Sequence, residues 1–252
     1  MLVLLSCAKT MSAVSKVKVP LTTSPRFQKE AAEIALQMSQ FSVDELERLL
    51  RVNAKIAVEN YKRYQAFHAE ATPELPALLA YTGIVFKRLN PKDFSAEDFG
   101  YAQEHLRLTS FCYGLLRPLD VIRAYRLEGD VVLPELGNQT LFSYWRSRLT
   151  DTFIEDIRSA GGILCNLASD EMKSLFDWKR VESEVRVVTP EFHVWKNGKL
   201  ATIVVYTKMS RGEMTRFILK NKIGNPEELK GFSWEGFEFD ESLSDERKLV
   251  FI

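Results

Sequence analysis

The chain carries only three cysteines, Cys7, Cys112 and Cys165, among 252 residues, and none stands in a C-x-x-C pair. An odd number at such wide spacing argues against a disulfide frame or a cysteine zinc site, and reads as reduced thiols in a cytoplasmic protein. Excess charge is missing too. The 34 basic and 34 acidic residues cancel, so any contact with nucleic acid has to come from a local basic patch. No stretch approaches the length of a membrane span, and Lys9 follows the apolar start too early for a signal-peptide core. The three histidines are scattered, which gives no obvious iron site and no reason to expect a metal or other cofactor.

What is present is apolar bulk. At 46% hydrophobic content the chain can bury a large core, as one big domain or two small ones. Leu2-Val3-Leu4-Leu5 is a short continuous apolar run of the kind buried on both faces of a sheet. It ends in Ser6-Cys7-Ala8-Lys9-Thr10, which places small and polar residues at the carboxyl edge, where open sheets keep ligand crevices. The Ser-x-x-Lys spacing fits a serine nucleophile only from a helix, so Lys9 with Thr10 reads better as an anion site. Residues 163–171 repeat the pattern, an apolar run breaking into Asn166, Ser169 and Glu171. A third instance is read at 202–212, a strand ending in Lys208 and Arg211 before a helix over 213–221.

Between these lie helical patterns at 27–38, 42–50, 57–67, 96–111 and 141–160, with Ser42 and Glu45 forming a capping box. His105 falls in the fourth of these, near its buried stripe, as a hydrogen-bonded core residue. Asn197-Gly198 marks a hairpin turn, and 249–252 reads as a last strand. The 42–67 pair is joined by a very short polar break, with Arg51, Asn53, Lys55 and Lys62 around it. It resembles a helix-hairpin-helix element gripping a DNA phosphate through hairpin amides and a lysine. Arg51 and Asn53 stand where that motif usually has glycines, and Asn tolerates the left-handed conformation better. Two packed helices with a solvated basic edge would give the same pattern. The 113–128 stretch, Y-G-L-L-R-P-L-D-V-I-R-A-Y-R-L-E, interleaves charges with bulky apolar residues after Pro118. Its helical lead-in is expected to stop at 114–117 and to release Arg126 and Glu128 towards a polar cleft.

The phrases A-K-T at 8–10, H-L-R at 105–107, Y-G-L-L-R-P-L-D at 113–120, Y-R-L-E at 125–128, N-L-A-S-D-E at 166–171, R-G-x-M-x-R-F-I at 211–218 and G-F-x-x-E-G-F-x-F-D at 231–240 run in order over nearly the whole chain. Together they closely resemble the bacterial YaaA family of peroxide-stress proteins. The resemblance implies a single mixed α/β (α+β) domain over 1–252 with a central mixed sheet or barrel-like centre. It also implies surrounding helices, a helix-hairpin-helix element, binding to double-stranded DNA and a part in limiting iron-driven oxidative damage. Met11-Ser12, Phe111, Met172 and Cys7 depart from the family pattern. They flank the charged framework of Lys9, Arg126, Glu128, Asn166, Ser169, Glu171, Lys208 and Arg211 and replace none of it.

Two functional readings follow. A DNA-binding stress factor would hold the duplex on the 42–67 helices, with sequence-blind, salt-dependent contacts. An enzyme would bind a nucleotide, nucleobase or other small phosphorylated ligand, with Glu171 or Glu128 as acid or base and Lys9, Thr10, Arg126, Asn166, Ser169, Lys208 and Arg211 as its binding set. A buried ion-pair network without a ligand is the third possibility.

Overall fold

The computed structural model describes residues 1–252. Six strands form one mixed sheet: β1 (Leu2–Leu5), β2 (Leu106–Ser110), β3 (Gly114–Leu116), β4 (Ile163–Asn166), β5 (Arg186–Phe192) and β6 (Lys248–Phe251), in the order β6-β5-β4-β1-β2-β3. Neighbours run parallel except β2 and β3, so the sheet is open and no barrel closes. The apolar run of β1 is fully buried, as a parallel strand covered on both faces requires. Val3 sits opposite Leu106 on one side and Cys165 on the other. From β1 the chain goes first to β2 and later returns to β4 on the opposite flank, which makes the carboxyl end of β1 a topological switch point.

The surrounding helices include α1 (Gln28–Met38), α2 (Val43–Leu50), α3 (Ala54–Ala66), α4 (Ile84–Leu89), α5 (Ala96–His105), α6 (Leu141–Ser159) and α7 (Val204–Asn221), besides a seven-residue helix over Trp178–Glu184 and shorter turns. One apolar cluster runs from Met1 to Phe251 through the sheet and its helices. The capping box of Ser42 and Glu45 forms, and Thr140 caps α6 through the Ser143 amide. Asn197 and Gly198 take positive φ values of 52° and 73° and turn the hairpin of 194–201. His105 is half-buried, stacked on Tyr101 and bonded through Nδ1 to the Met1 carbonyl at 3.0 Å.

Two expected elements differ. The helix read over 96–111, with its end expected at 114–117, stops at His105; the rest is β2, turning through 111–113 into β3, so the lead-in to Pro118 is strand and not helix. The Leu-Arg-Leu-Thr-Ser run of β2 is buried at every position, a demand met by a sheet interior and not by an amphipathic helix. The strand read over 202–206 is the opening turn of α7. Val204, Val205 and Tyr206 favour strand locally, yet α7 packs on α4 instead. Gly212 makes that packing possible, because a Cβ there would run into the Val85 carbonyl.

Candidate functional site

A cavity of about 320 Å³ opens at the carboxyl ends of β1 and β4. The loop after β1 forms one wall and is pinned on three sides. Ser6 Oγ accepts from the Ser169 amide at 2.9 Å, the Cys7 amide donates to Thr109 Oγ1 at 3.2 Å, and the Thr82 amide donates to the Thr10 carbonyl at 3.0 Å. Gly83 lets its segment close on that loop, since a Cβ would sit 2.8 Å from the Ala8 Cβ. Lys9 and Thr10 thus point from a fixed base. Ser169 and Glu171 come from the turn after β4, and Lys208 and Arg211 from α7. Their i,i+3 spacing puts both on one helical face, so the cations expected from a strand end arrive on a helix.

Arg126 lines the cavity, and Glu128 stands directly behind Lys9. Lys9 Nζ lies 2.7 Å from Glu128 Oε2, the lysine side chain 61% exposed and the glutamate 5%. Arg126 reaches only to 3.7 Å from the other carboxylate oxygen. That oxygen, Arg126 Nε, Arg211 Nε and Ser210 Oγ are buried and have no hydrogen-bond partner. Burial pulls the Arg211 guanidinium below its ordinary range, against the opposing fields of Asp170 and Glu191. Buried polar groups are nearly always paired, and here the unpaired ones gather where the lysines and arginines meet. The floor is apolar and aromatic, including Phe86, Phe111, Leu167 and Tyr125. The Tyr125 hydroxyl is held at 2.7 Å from both Tyr81 and Ser110.

The expected residues fall into two groups. Lys9, Thr10, Arg126, Ser169, Glu171, Lys208 and Arg211 share the cavity, with Glu128 behind it. Glu171 is exposed and carries no ion pair, which sets it outside a buried ion-pair network. Asn166 is buried away from the cavity lining and accepts from the Ala168 amide at 3.2 Å, shaping the turn after β4. Gly83 reads from the sequence as a close backbone approach of a ligand loop or a plain turn, and it lines the cavity. Ser210 and the Ile84–Phe86 wall were not foreseen, since a serine inside a helix carries no distinguishing pattern.

Beside the cleft, α2 and α3 meet in a tight turn. Arg51, not Asn53, takes the left-handed conformation, with φ of 51°. Asn53 is extended and caps α3, its Oδ1 accepting from the Ile56 amide at 3.0 Å. The Arg51 guanidinium lies 2.7 Å from Asp130. The hydrogen bond to Asp130 favours its charged form, and the fields of Glu128 and Glu171 add to it. Tyr64 of α3 donates to the Arg126 carbonyl. The turn and the cleft are therefore joined through residues 126–130. Lys55 and Lys62 lie exposed on α3.

The family model for peroxide stress protein YaaA matches residues 1–243. The chain belongs to the YaaA family of peroxide stress proteins. A UPF0246 protein of Bacteroides thetaiotaomicron is 99% identical over 252 residues, all of this chain and 98% of that one. UPF0246 protein BF3795 of Bacteroides fragilis is 79% identical, covering 100% of this chain and 98% of the relative. At greater distance, a UPF0246 protein of Crocosphaera subtropica is 38% identical over the whole of both chains. Membership of the YaaA family supports a role in peroxide stress. No helix of this family member is long and apolar enough to cross a membrane.

Proposed function

We propose that this YaaA-family protein serves the peroxide-stress response in the cytoplasm by binding double-stranded DNA beside the cleft and seating a phosphate-bearing nucleotide within it. One observation carries the reading: segment 126–130 places Glu128 behind Lys9 in the cleft and Asp130 against Arg51 in the α2–α3 turn. A duplex resting on that turn, in the manner of a helix-hairpin-helix element, has its backbone at the cleft mouth. There Lys208, Arg211 and Arg126 suit phosphate, and an aromatic floor suits a displaced base. Limiting iron-driven damage is then a matter of acting on the DNA that such damage reaches.

The test is a salt titration of duplex binding by fluorescence anisotropy. Charge reversal at Lys55 and Lys62 is expected to weaken binding and to flatten the slope by about 0.9 per lost phosphate contact. Unchanged affinity in the folded double variant would remove α3 from the interface. The buried Glu128 carboxylate 2.7 Å from an exposed amine favours a second reading on the same site, in which the seated nucleotide undergoes chemistry. Carboxylates repel a phosphate, so a simple clamp has no use for them.

A further inference from the structure

Lys9 and Glu128 offer more than phosphate binding needs. The amine faces whatever enters the cavity, while the carboxylate 2.7 Å away stays covered behind it. Arg126, Lys208 and Arg211 line the same space. A base within reach can take the proton that a lysine must lose to act as a nucleophile, and cations nearby oppose the charge it carries until then. The guanidinium groups cannot take that part, because arginine does not deprotonate in proteins. An amine nucleophile seeks a carbonyl carbon, and the cations seek a phosphate. An aldehyde on a phosphorylated sugar has both, and DNA presents one wherever a nucleotide has lost its base.

Resting on the reading that the cleft takes a nucleotide, we propose that Lys9 forms an imine with the aldehyde of a phosphorylated sugar, as at an abasic site in duplex DNA. Glu128 takes a proton from the Lys9 ammonium, and the freed electron pair bonds the aldehyde carbon. A nitrogen proton moves to the oxygen, giving a carbinolamine. Glu128 returns its proton to that hydroxyl, which leaves as water, and a cationic imine remains. Glu171, unpaired on the cavity wall, then removes a proton from the carbon next to the imine. The electron pair released expels the phosphate on the following carbon, whose C–O bond breaks and nicks the strand. Water hydrolyses the imine and restores the amine. No oxidant or reductant is consumed.

The test uses the full chain and a duplex with one abasic site in sodium borohydride, which reduces an imine to a stable secondary amine. A covalent protein–DNA adduct is expected, with its modified peptide mapping to Lys9, and Lys9→Arg should abolish it. Without borohydride the wild type should nick the strand, and Glu171→Gln should slow nicking about 100-fold while leaving the adduct. No adduct of the wild type with either the duplex or ribose phosphate, or one mapped to another amine, overturns the proposal. Direct binding of the same duplex, measured alongside, shows whether the cleft reading falls with it. Ribose phosphate in a parallel reaction separates the sources. An adduct at Lys9 with the duplex alone, or with the duplex at far lower concentration than the free sugar, supports the imine and DNA as its source, and one with the free sugar alone keeps the imine but assigns it to a small metabolite.

Discussion

The ion pair between β2 and α6 and the cleft at the edge of β1 use the same residue types in opposite ways. Arg107 donates to Asp156 at 2.6 Å and to the Gln103 and Leu106 carbonyls at 3.1 and 3.0 Å, while Arg26 adds a bond to Asp156 at 3.2 Å. Each charge there is matched within the chain. At the cleft, Arg126 Nε, Arg211 Nε and Glu128 Oε1 are buried and have no hydrogen-bond partner, the last meeting Arg126 only at 3.7 Å. An unsatisfied buried group costs about 1–3 kcal/mol. A fold that saturates Arg107 and leaves Arg211 open has traded stability for an opening to something in solution.

Breaking the saturated cluster should show the largest effect. Asp156→Ala leaves Arg107 buried without its partner and is expected to cost about 3–5 kcal/mol in denaturant unfolding. Duplex binding per folded molecule should not change; a loss of both together would erase the contrast. Arg211→Met should move stability the other way, gaining about 1–3 kcal/mol because an unpaired buried donor disappears, while duplex affinity falls. A lower melting temperature for this variant would make Arg211 a structural residue.

Alkaline titration gives a smaller change. Burial pushes the Cys165 thiol up from 9.0 to about 12, so above pH 9.0 the unfolded thiol ionises first and favours unfolding. Urea stability should hold below that pH and then fall by about 1.4 kcal/mol per pH unit for each such thiol. A flat profile through this range would contradict the burial. The smallest effect belongs to Glu171→Gln: an exposed carboxylate without an ion pair should change stability by less than about 0.5 kcal/mol. A large drop in melting temperature would place Glu171 in the saturated class and end its candidacy as a working group.

Legibility followed burial. The ends of β1 and β4 could be read because a strand covered on both faces must be apolar throughout, and the switch to small polar residues is abrupt. The opening of α7 could not, because Val204, Val205 and Tyr206 are exposed and their β-branched and aromatic chemistry outweighs nothing once Gly212 seats the helix. Glu128 was legible as a charge among apolar residues, but its 2.7 Å contact joins positions 119 apart in sequence, and no local pattern encodes that. The exchange of roles between Arg51 and Asn53 shows the same limit. Propensity favoured Asn for the left-handed position, and the cap on Ile56 gave it another use.

Gly212 has a further consequence. It sets how closely the axis of α7 approaches α4, and these two helices bring Lys208 and Arg211 to one side of the cavity and Val85 and Phe86 to another. The missing side chain therefore works as a gauge for the aperture. A single methyl group at this position, pressing on the Val85 carbonyl and the Arg88 side chain, would pry the helices apart, reset the distance between the cationic jaw and the aromatic floor, and alter which ligands the proposed site could take without replacing one of its charged groups.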